Sequence, residues 1–281
     1  MFYTNSAVNK NYSVACNKEL NLNSKNKVNR LTNIMNTWQH LDKALLLLNN
    51  LRSKNILQNK GFLMTHLTMI RHGQANSVAK DEHGYDILTS LGHQQAKWYG
   101  EHLLQTETSF DKIYSGTLRR QIETAQGVNQ LDLPHIKDER LNELDYFGLA
   151  NSLQDRHAIP LPETQKEFAK QINTILRYWK LGKISSPIEN FKTFHARIVQ
   201  IVKELIQSEE KILAVSSAGV IASLFGEVLE IPLEQRVKLF LAIAHTSVHR
   251  FEILSGFLAP TLFGATPHLA NPERQHARTF V

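Results

Sequence analysis

From residue 64 onward, short apolar runs alternate with longer stretches whose apolar positions recur at three- and four-residue spacing. Thr65 to Ile70 predicts a short buried strand. Residues 89–106 carry Leu91, Ala96, Trp98, Tyr99 and Leu103, which predicts a helix opened by Thr89 or Ser90. Phe110 to Tyr114 is a second strand and 117–130 a second helix. Two further helices fall over 163–181 and 189–208, separated by Gly182 and Pro187. Lys211 to Ser216 is a third strand, followed by a helix over 219–229, and Ser247 to Leu254 is another strand. This alternation implies an α/β fold with three layers, a mostly parallel sheet flanked by helices. Chemistry in such sheets gathers at the carboxyl ends of the strands.

Residues 1–63 have a different texture. They hold 14 Asn and no Pro, and the first 35 show no sustained periodicity, the composition of a disordered segment. Within 36–58, Trp38, Leu41, Leu45 and Leu48 recur at helical spacing and mark a candidate short helix. The expected organisation is therefore an Asn/Lys-rich extension over 1–63 and a domain over 64–281. A second reading stands beside a native extension. Met64 opens a segment that reads as a domain start, and Lys60-Gly61 can be encoded by a sequence resembling a bacterial ribosome-binding site. Sequencing the N-terminus of the natural protein separates a native extension from a mis-assigned start.

Charge follows the same division. The chain has a net charge of +6, but nine of its 32 Lys/Arg and only two of its 26 Asp/Glu lie in residues 1–63, a net of +7 there and −1 elsewhere. A basic face for nucleic acid is not indicated on the domain. The longest apolar run, Leu239 to Ala244, is far short of the roughly 20 residues that span a bilayer. The start lacks the charged tip and apolar centre of a secretory signal, and Cys16 is the single cysteine. A cytoplasmic protein without membrane or nucleic-acid partners is expected. Nothing in the sequence speaks to oligomeric state.

The first strand runs directly into Arg71-His72-Gly73-Gln74. A guanidinium offers a planar fork of donors to phosphate oxygens, and an adjacent imidazole can attack phosphorus to give a phosphohistidine. Tyr114-Ser115-Gly116-Thr117-Leu118-Arg119-Arg120 places another arginine between the second strand and a helix N-terminus, where anions are favoured. Leu141-Asn142-Glu143-Leu144 sets a carboxyl group in a loop, and Leu88-Thr89-Ser90-Leu91-Gly92-His93-Gln94-Gln95 opens the first helix.

These four blocks, in this order and spacing, resemble the histidine phosphatase superfamily, also called the phosphoglycerate mutase-like family. The resemblance runs from about Thr65 to the C-terminus. It is nearest to a bacterial branch that begins Arg-His-Gly-Gln-Ala and carries a His-Leu pair near its end, here His268-Leu269. It implies the phosphoglycerate mutase-like fold, a small phosphomonoester as substrate, and no metal or cofactor. His72 would be the phosphorylated nucleophile and Glu143 the proton donor and later the base. Arg71, Gln74, Asn76, Arg120, Ser217 and Ala218 would hold the substrate phosphate.

The pattern breaks at one position. The family carries a second His in a Val-Ser-His-Gly-Gly-like turn, and this chain reads Val215-Ser216-Ser217-Ala218-Gly219. A hydroxyl gives one neutral hydrogen bond where an imidazolium would counter charge. Loss of such a donor costs on the order of 3 kcal/mol. Backbone N–H groups at the start of the 219–229 helix are one compensation, and His245 and His249 are two candidates for another. As a metal pair they fail, because four residues of strand set them about 13 Å apart. Ala75, Val78 and Glu123 depart from the family's common residues in a way that argues against the glycolytic mutases. Three readings remain open: a metal-independent phosphomonoesterase, a phosphomutase, and a non-catalytic phosphate-binding module. The 149–190 region, with Phe168, Tyr178 and Trp179, would form a lid or a packed helical cap.

Overall fold

The computed structural model describes residues 66–208 and 210–280. The extension over 1–63 and its candidate helix lie outside them. Six strands form one mixed sheet: β1 (His66–Arg71), β2 (Lys112–Ser115), β3 (His135–Lys137), β4 (Ile212–Ser216), β5 (Val248–Leu254) and β6 (Phe257–Ala265), in the order β3-β2-β4-β1-β5-β6. The first four are mutually parallel, while β5 runs antiparallel to both of its neighbours, β1 and β6. The expected α/β architecture is present.

Central strands of a sheet covered on both faces must be apolar throughout, and β4 (Ile-Leu-Ala-Val-Ser) is buried at every position. Successive side chains serve opposite layers. Leu67, Met69, Ile212 and Ala214 join one core. Ile70, Leu213 and Val215 join the other. Register then aligns the chemistry, because Arg71 pairs with Ser216 and Ser115 with Val215 at the strands' carboxyl ends.

Eight helices flank the sheet among the described residues: α1 (Glu82–Tyr85), α2 (Ser90–Gln105), α3 (Arg119–Val128), α4 (Tyr146–His157), α5 (Gln165–Lys180), α6 (Phe191–Gln207), α7 (Ala218–Val228) and α8 (Leu233–Ala242). The helix expected over 163–181 is α5, started by a capping box between Thr164 and Glu167. Its buried stripe of Ile172, Ile175, Leu176 and Trp179 packs into the larger core, each such side chain contributing about 1.5–3 kcal/mol. Trp179 lies 5.4 Å from the rings of both Phe191 and Phe194. The aromatics of the 149–190 region therefore pack as a helical cap. No helix among the described residues is long and apolar enough to cross a membrane.

Candidate active site

The loop after β1 is held by backbone and side-chain bonds on three sides. His72 N–H donates to Ser216 O at 2.9 Å, and Arg71 N–H to Ser247 O at 3.2 Å. Gly73 N–H donates to Thr124 Oγ1 at 2.9 Å, and that hydroxyl donates to Arg120 O at 2.6 Å. Gly73 and Gly92 let two backbones meet: a Cβ on Gly73 would strike the Gly92 carbonyl, and one on Gly92 would strike Gln74. The loop that carries His72, α2 and α3 are thus locked together.

His72 is 2% exposed. Its Nδ1 lies 2.7 Å from the Gly73 carbonyl. A carbonyl only accepts, so Nδ1 carries the proton and Nε2 keeps its lone pair. Burial, with Arg120, Arg71 and His245 nearby, holds the ring well below the ordinary histidine range. The imidazole is neutral, and its Nε2 has no protein partner among the described residues.

Both arginines are almost wholly buried. Arg71 Nη1 donates to Ile243 O at 2.8 Å. Arg120 Nη1 donates to Glu82 Oε1 at 2.6 Å and to Asp86 Oδ1 at 2.9 Å. Burial alone would lower Arg120, but Glu82, Tyr85 and Asp86 outweigh it and hold it above its ordinary value. The Nε atoms of Arg71 and Arg120 are buried and have no hydrogen-bond partner among the described residues. Tyr85 closes this wall, its ring 4.8 Å from the Arg120 guanidinium carbon and 6.4 Å from the His72 ring.

Glu143 faces them from the other side. Its Oε2 accepts from Gly219 N–H at 2.9 Å and its Oε1 from Leu144 N–H at 2.9 Å. The carboxyl group thus sits at the N-terminus of α7, within electrostatic reach of Arg71. Arg197 fixes the loop that carries it. Its Nη1 donates to Arg140 O and Asn142 O, both at 2.8 Å, while Glu189 balances its charge.

Ser217 is fully buried as the residue before α7, and its Oγ accepts from Gln121 Nε2 at 2.8 Å. The same amide donates to Leu141 O, so Gln121 ties the turn to the Glu143 loop. Ala218 is buried as the first residue of α7. Gln74 Oε1 accepts from the Thr89 hydroxyl at 2.8 Å, and Asn76 Nδ2 donates to Gly84 O at 3.1 Å, bracing α1. His245 lies inside the cluster, with ring centroid 5.9 Å from that of His72. His249 is not brought into it, because its ring packs between Phe225 and Phe263 and both its nitrogens are engaged.

Sequence reasoning missed Glu82, Tyr85 and Asp86. One trace of Asp86 was present: Leu118, the residue before α3, has no side-chain oxygen to cap the helix. Asp86 supplies that cap from a distance, accepting from Arg119 N–H at 2.8 Å and Arg120 N–H at 3.0 Å.

A family profile described as the histidine phosphatase superfamily (branch 1) matches residues 67–263. A 2,3-bisphosphoglycerate-dependent phosphoglycerate mutase from Bartonella quintana is 38% identical over 96 residues, 32% of this chain and 47% of the relative. The chain thus spans about half the length of the curated relatives it matches. A phosphoserine phosphatase from Entamoeba histolytica, solved with 3-phosphoglyceric acid, superimposes with a TM-score of 0.54 at 26% identity, over 73% of this chain and 100% of that one. An alpha-ribazole phosphatase from Shigella flexneri shares the fold with a TM-score of 0.54 at 22% identity, over 72% of this chain and 96% of that one.

Proposed function

This chain belongs to the histidine phosphatase superfamily, and from that premise we propose that it is a metal-independent phosphomonoesterase working through phosphohistidine at His72. The observation that carries this reading is the tautomer. With Nδ1–H bound to Gly73 O, the unprotonated Nε2 of a neutral imidazole stands among two buried arginines.

In the first step Nε2 attacks phosphorus and the ester P–O bond breaks. The departing oxygen takes the proton of the Glu143 carboxyl group. In the second step water attacks phosphorus, Glu143 takes a proton from it, and the N–P bond breaks to release inorganic phosphate and restore His72. Arg71 and Arg120 stabilise the charge on the phosphoryl oxygens. The arriving phosphate competes with Glu82 for Arg120 Nη1. Substrates are small phosphomonoesters met in the cytoplasm, a location supported by the lone Cys16.

The names of the curated relatives favour a second reading, a mutase. Against it stand Glu82 and Asp86, which set two carboxylates on Arg120 and so disfavour a substrate with a second anionic group. Turnover of p-nitrophenyl phosphate, with alkaline quenching to trap the covalent intermediate, tests the proposal. Phosphohistidine on His72 and a loss of about 10⁴-fold or more in His72→Ala are expected. Transfer of the trapped group to a glycerate acceptor in preference to water supports the mutase. Phosphate binding without turnover supports a binding module.

A further inference from the structure

The turn that would present a second imidazole presents Ser217, whose hydroxyl oxygen is taken up by Gln121 in the brace around Leu141. Another imidazole stands nearby. His245 is 4% exposed, and its ring centroid lies 5.9 Å from that of His72. An N–H donating to a phosphoryl oxygen stands about 2.8 Å from it. Burial and the neighbouring Arg71 hold His245 well below the ordinary histidine range, so it acts as a neutral donor and its tautomer matters.

The partners of the ring narrow the tautomer to two arrangements. His245 Nδ1 lies 2.9 Å from Thr279 Oγ1. Gln95 Nε2 donates to the same oxygen at 3.1 Å and to Ala277 O at 2.6 Å. The orientation of this amide is fixed at its other end, where Gln95 Oε1 accepts from Gln74 N–H at 2.8 Å. A flipped amide would set oxygen against the Ala277 carbonyl. Thr279 Oγ1 therefore receives a hydrogen from Gln95. A hydroxyl oxygen accepts up to two hydrogens and donates one, so it either gives its own hydrogen to His245 Nδ1 or takes the Nδ1 hydrogen as well. In the first arrangement the imidazole proton lies on Nε2, which has no protein partner among the described residues.

We propose that His245 donates from Nε2 to the transferring phosphoryl group in place of the imidazole absent at 217, and that Gln95 and Thr279 are positioning residues that hold it in that tautomer. The inference rests on the phosphohistidine reading of the same site. It ties the segment after α8, the C-terminal residues 277–279 and the nucleophile's loop into one relay. The backbone bond from His245 N–H to Thr279 O, 2.9 Å, holds the segment in place when the side chain is changed.

Two-bond proton–nitrogen NMR of the histidine rings in the full chain reads the tautomers directly. Nδ1–H is expected for His72 and Nε2–H for His245. Thr279→Val should give His245 a mixture of tautomers, and Thr279→Ser should restore Nε2–H. With p-nitrophenyl phosphate, His245→Leu should lower kcat by about 10²–10³-fold with little change in KM. His245→Gln, which returns an N–H near the Nε2 position, should recover part of that loss. Thr279→Val should lower kcat about three- to tenfold and Thr279→Ser should not. An Nδ1–H tautomer at His245, or a normally melting His245→Leu within threefold of wild type, overturns the inference. Wild-type protein that forms no phosphohistidine overturns the phosphatase reading instead, and the NMR result still decides the relay.

Discussion

His72 follows β1 and His249 lies on the neighbouring β5, and their contrast separates the proposed nucleophile from a structural histidine. His249 sits on β5 opposite Met69 of β1, three residues before His72. Both are buried, and burial holds both below the ordinary histidine range, His249 to about 3. Neither burial nor a depressed pKa distinguishes them. The ring nitrogens do. Gly264 N–H donates to His249 Nδ1 at 3.3 Å, so Nε2 carries the proton and donates to Ser247 Oγ at 3.0 Å. His72 spends one nitrogen on Gly73 and keeps the other open. The proposed reactivity of His72 rests on that unspent lone pair beside two cations.

What the two share produces the largest expected effect. His72 and His245 are held well below 6.5, and His249 and His268 at about 3. All four have ordinary values near 6.5 when unfolded. Between that pH and their folded values the unfolded chain binds more protons, so the stability is full above about 6.5 and falls as pH falls. Each histidine contributes a slope of up to about 1.4 kcal/mol per pH unit, so near pH 5 His249 and His268 together give about 3 kcal/mol per unit, and His72 and His245 add to it in the same direction. Urea melts from pH 7.5 to 4.5 should show this as uptake of at least about two protons on unfolding. A flat profile between pH 7 and 5 would mean that these rings are charged in the folded protein, and the contrast drawn from their neutral forms would fail.

The next effect falls on catalysis while sparing stability. A Cβ on Gly219 would collide with Glu143 Oε1 and approach Leu144 Cδ2 at 2.9 Å. The carboxylate is the end of a flexible side chain and would give way. Gly219→Ala should therefore reduce kcat on p-nitrophenyl phosphate by about 10²–10³-fold, as loss of the general acid would. Alanine is also the better helix former, by about 0.5–1 kcal/mol. Kinetics that follow Glu143→Gln, with a melting temperature at or above wild type, are the expected pair. Retained kcat would mean that Glu143 acts from a position that does not need α7.

These two results bear on what a reader of the chain can see. Arg71, His72 and Gly73 are contiguous at the end of an apolar run, so a local pattern carries both the strand and its chemistry. The substitution at Ser217 was visible for the same reason. Glu82 and Asp86 reach Arg120 across 38 and 34 residues, and Thr279 reaches His245 across 34. No periodicity encodes such meetings, because packing of the elements creates them. Among the elements, α4, α8 and the short α1 and β3 were missed, as was β6. The Ser255-Gly256 turn, with both residues at positive φ, does mark a hairpin. Pro260 within the following run obscured the strand, being tolerated because β6 is the sheet's edge.

The smallest expected effect tests the contrast most directly. His249→Asn removes a ring that fills space between Phe225 and Phe263 and leaves Ser247 Oγ and Gly264 N–H to find other partners. A lost buried hydrogen bond of this kind costs about 1–3 kcal/mol. Stability should fall by that amount in urea while kcat stays within about twofold of wild type, because neither nitrogen of His249 was free to meet substrate. His72→Asn should do the reverse, keeping most of its stability and losing turnover. If His249→Asn loses activity in a protein that still melts cooperatively, then spending both nitrogens does not mark a histidine as structural. Ser247, whose carbonyl accepts the Arg71 N–H, would be the route by which the change reached the site.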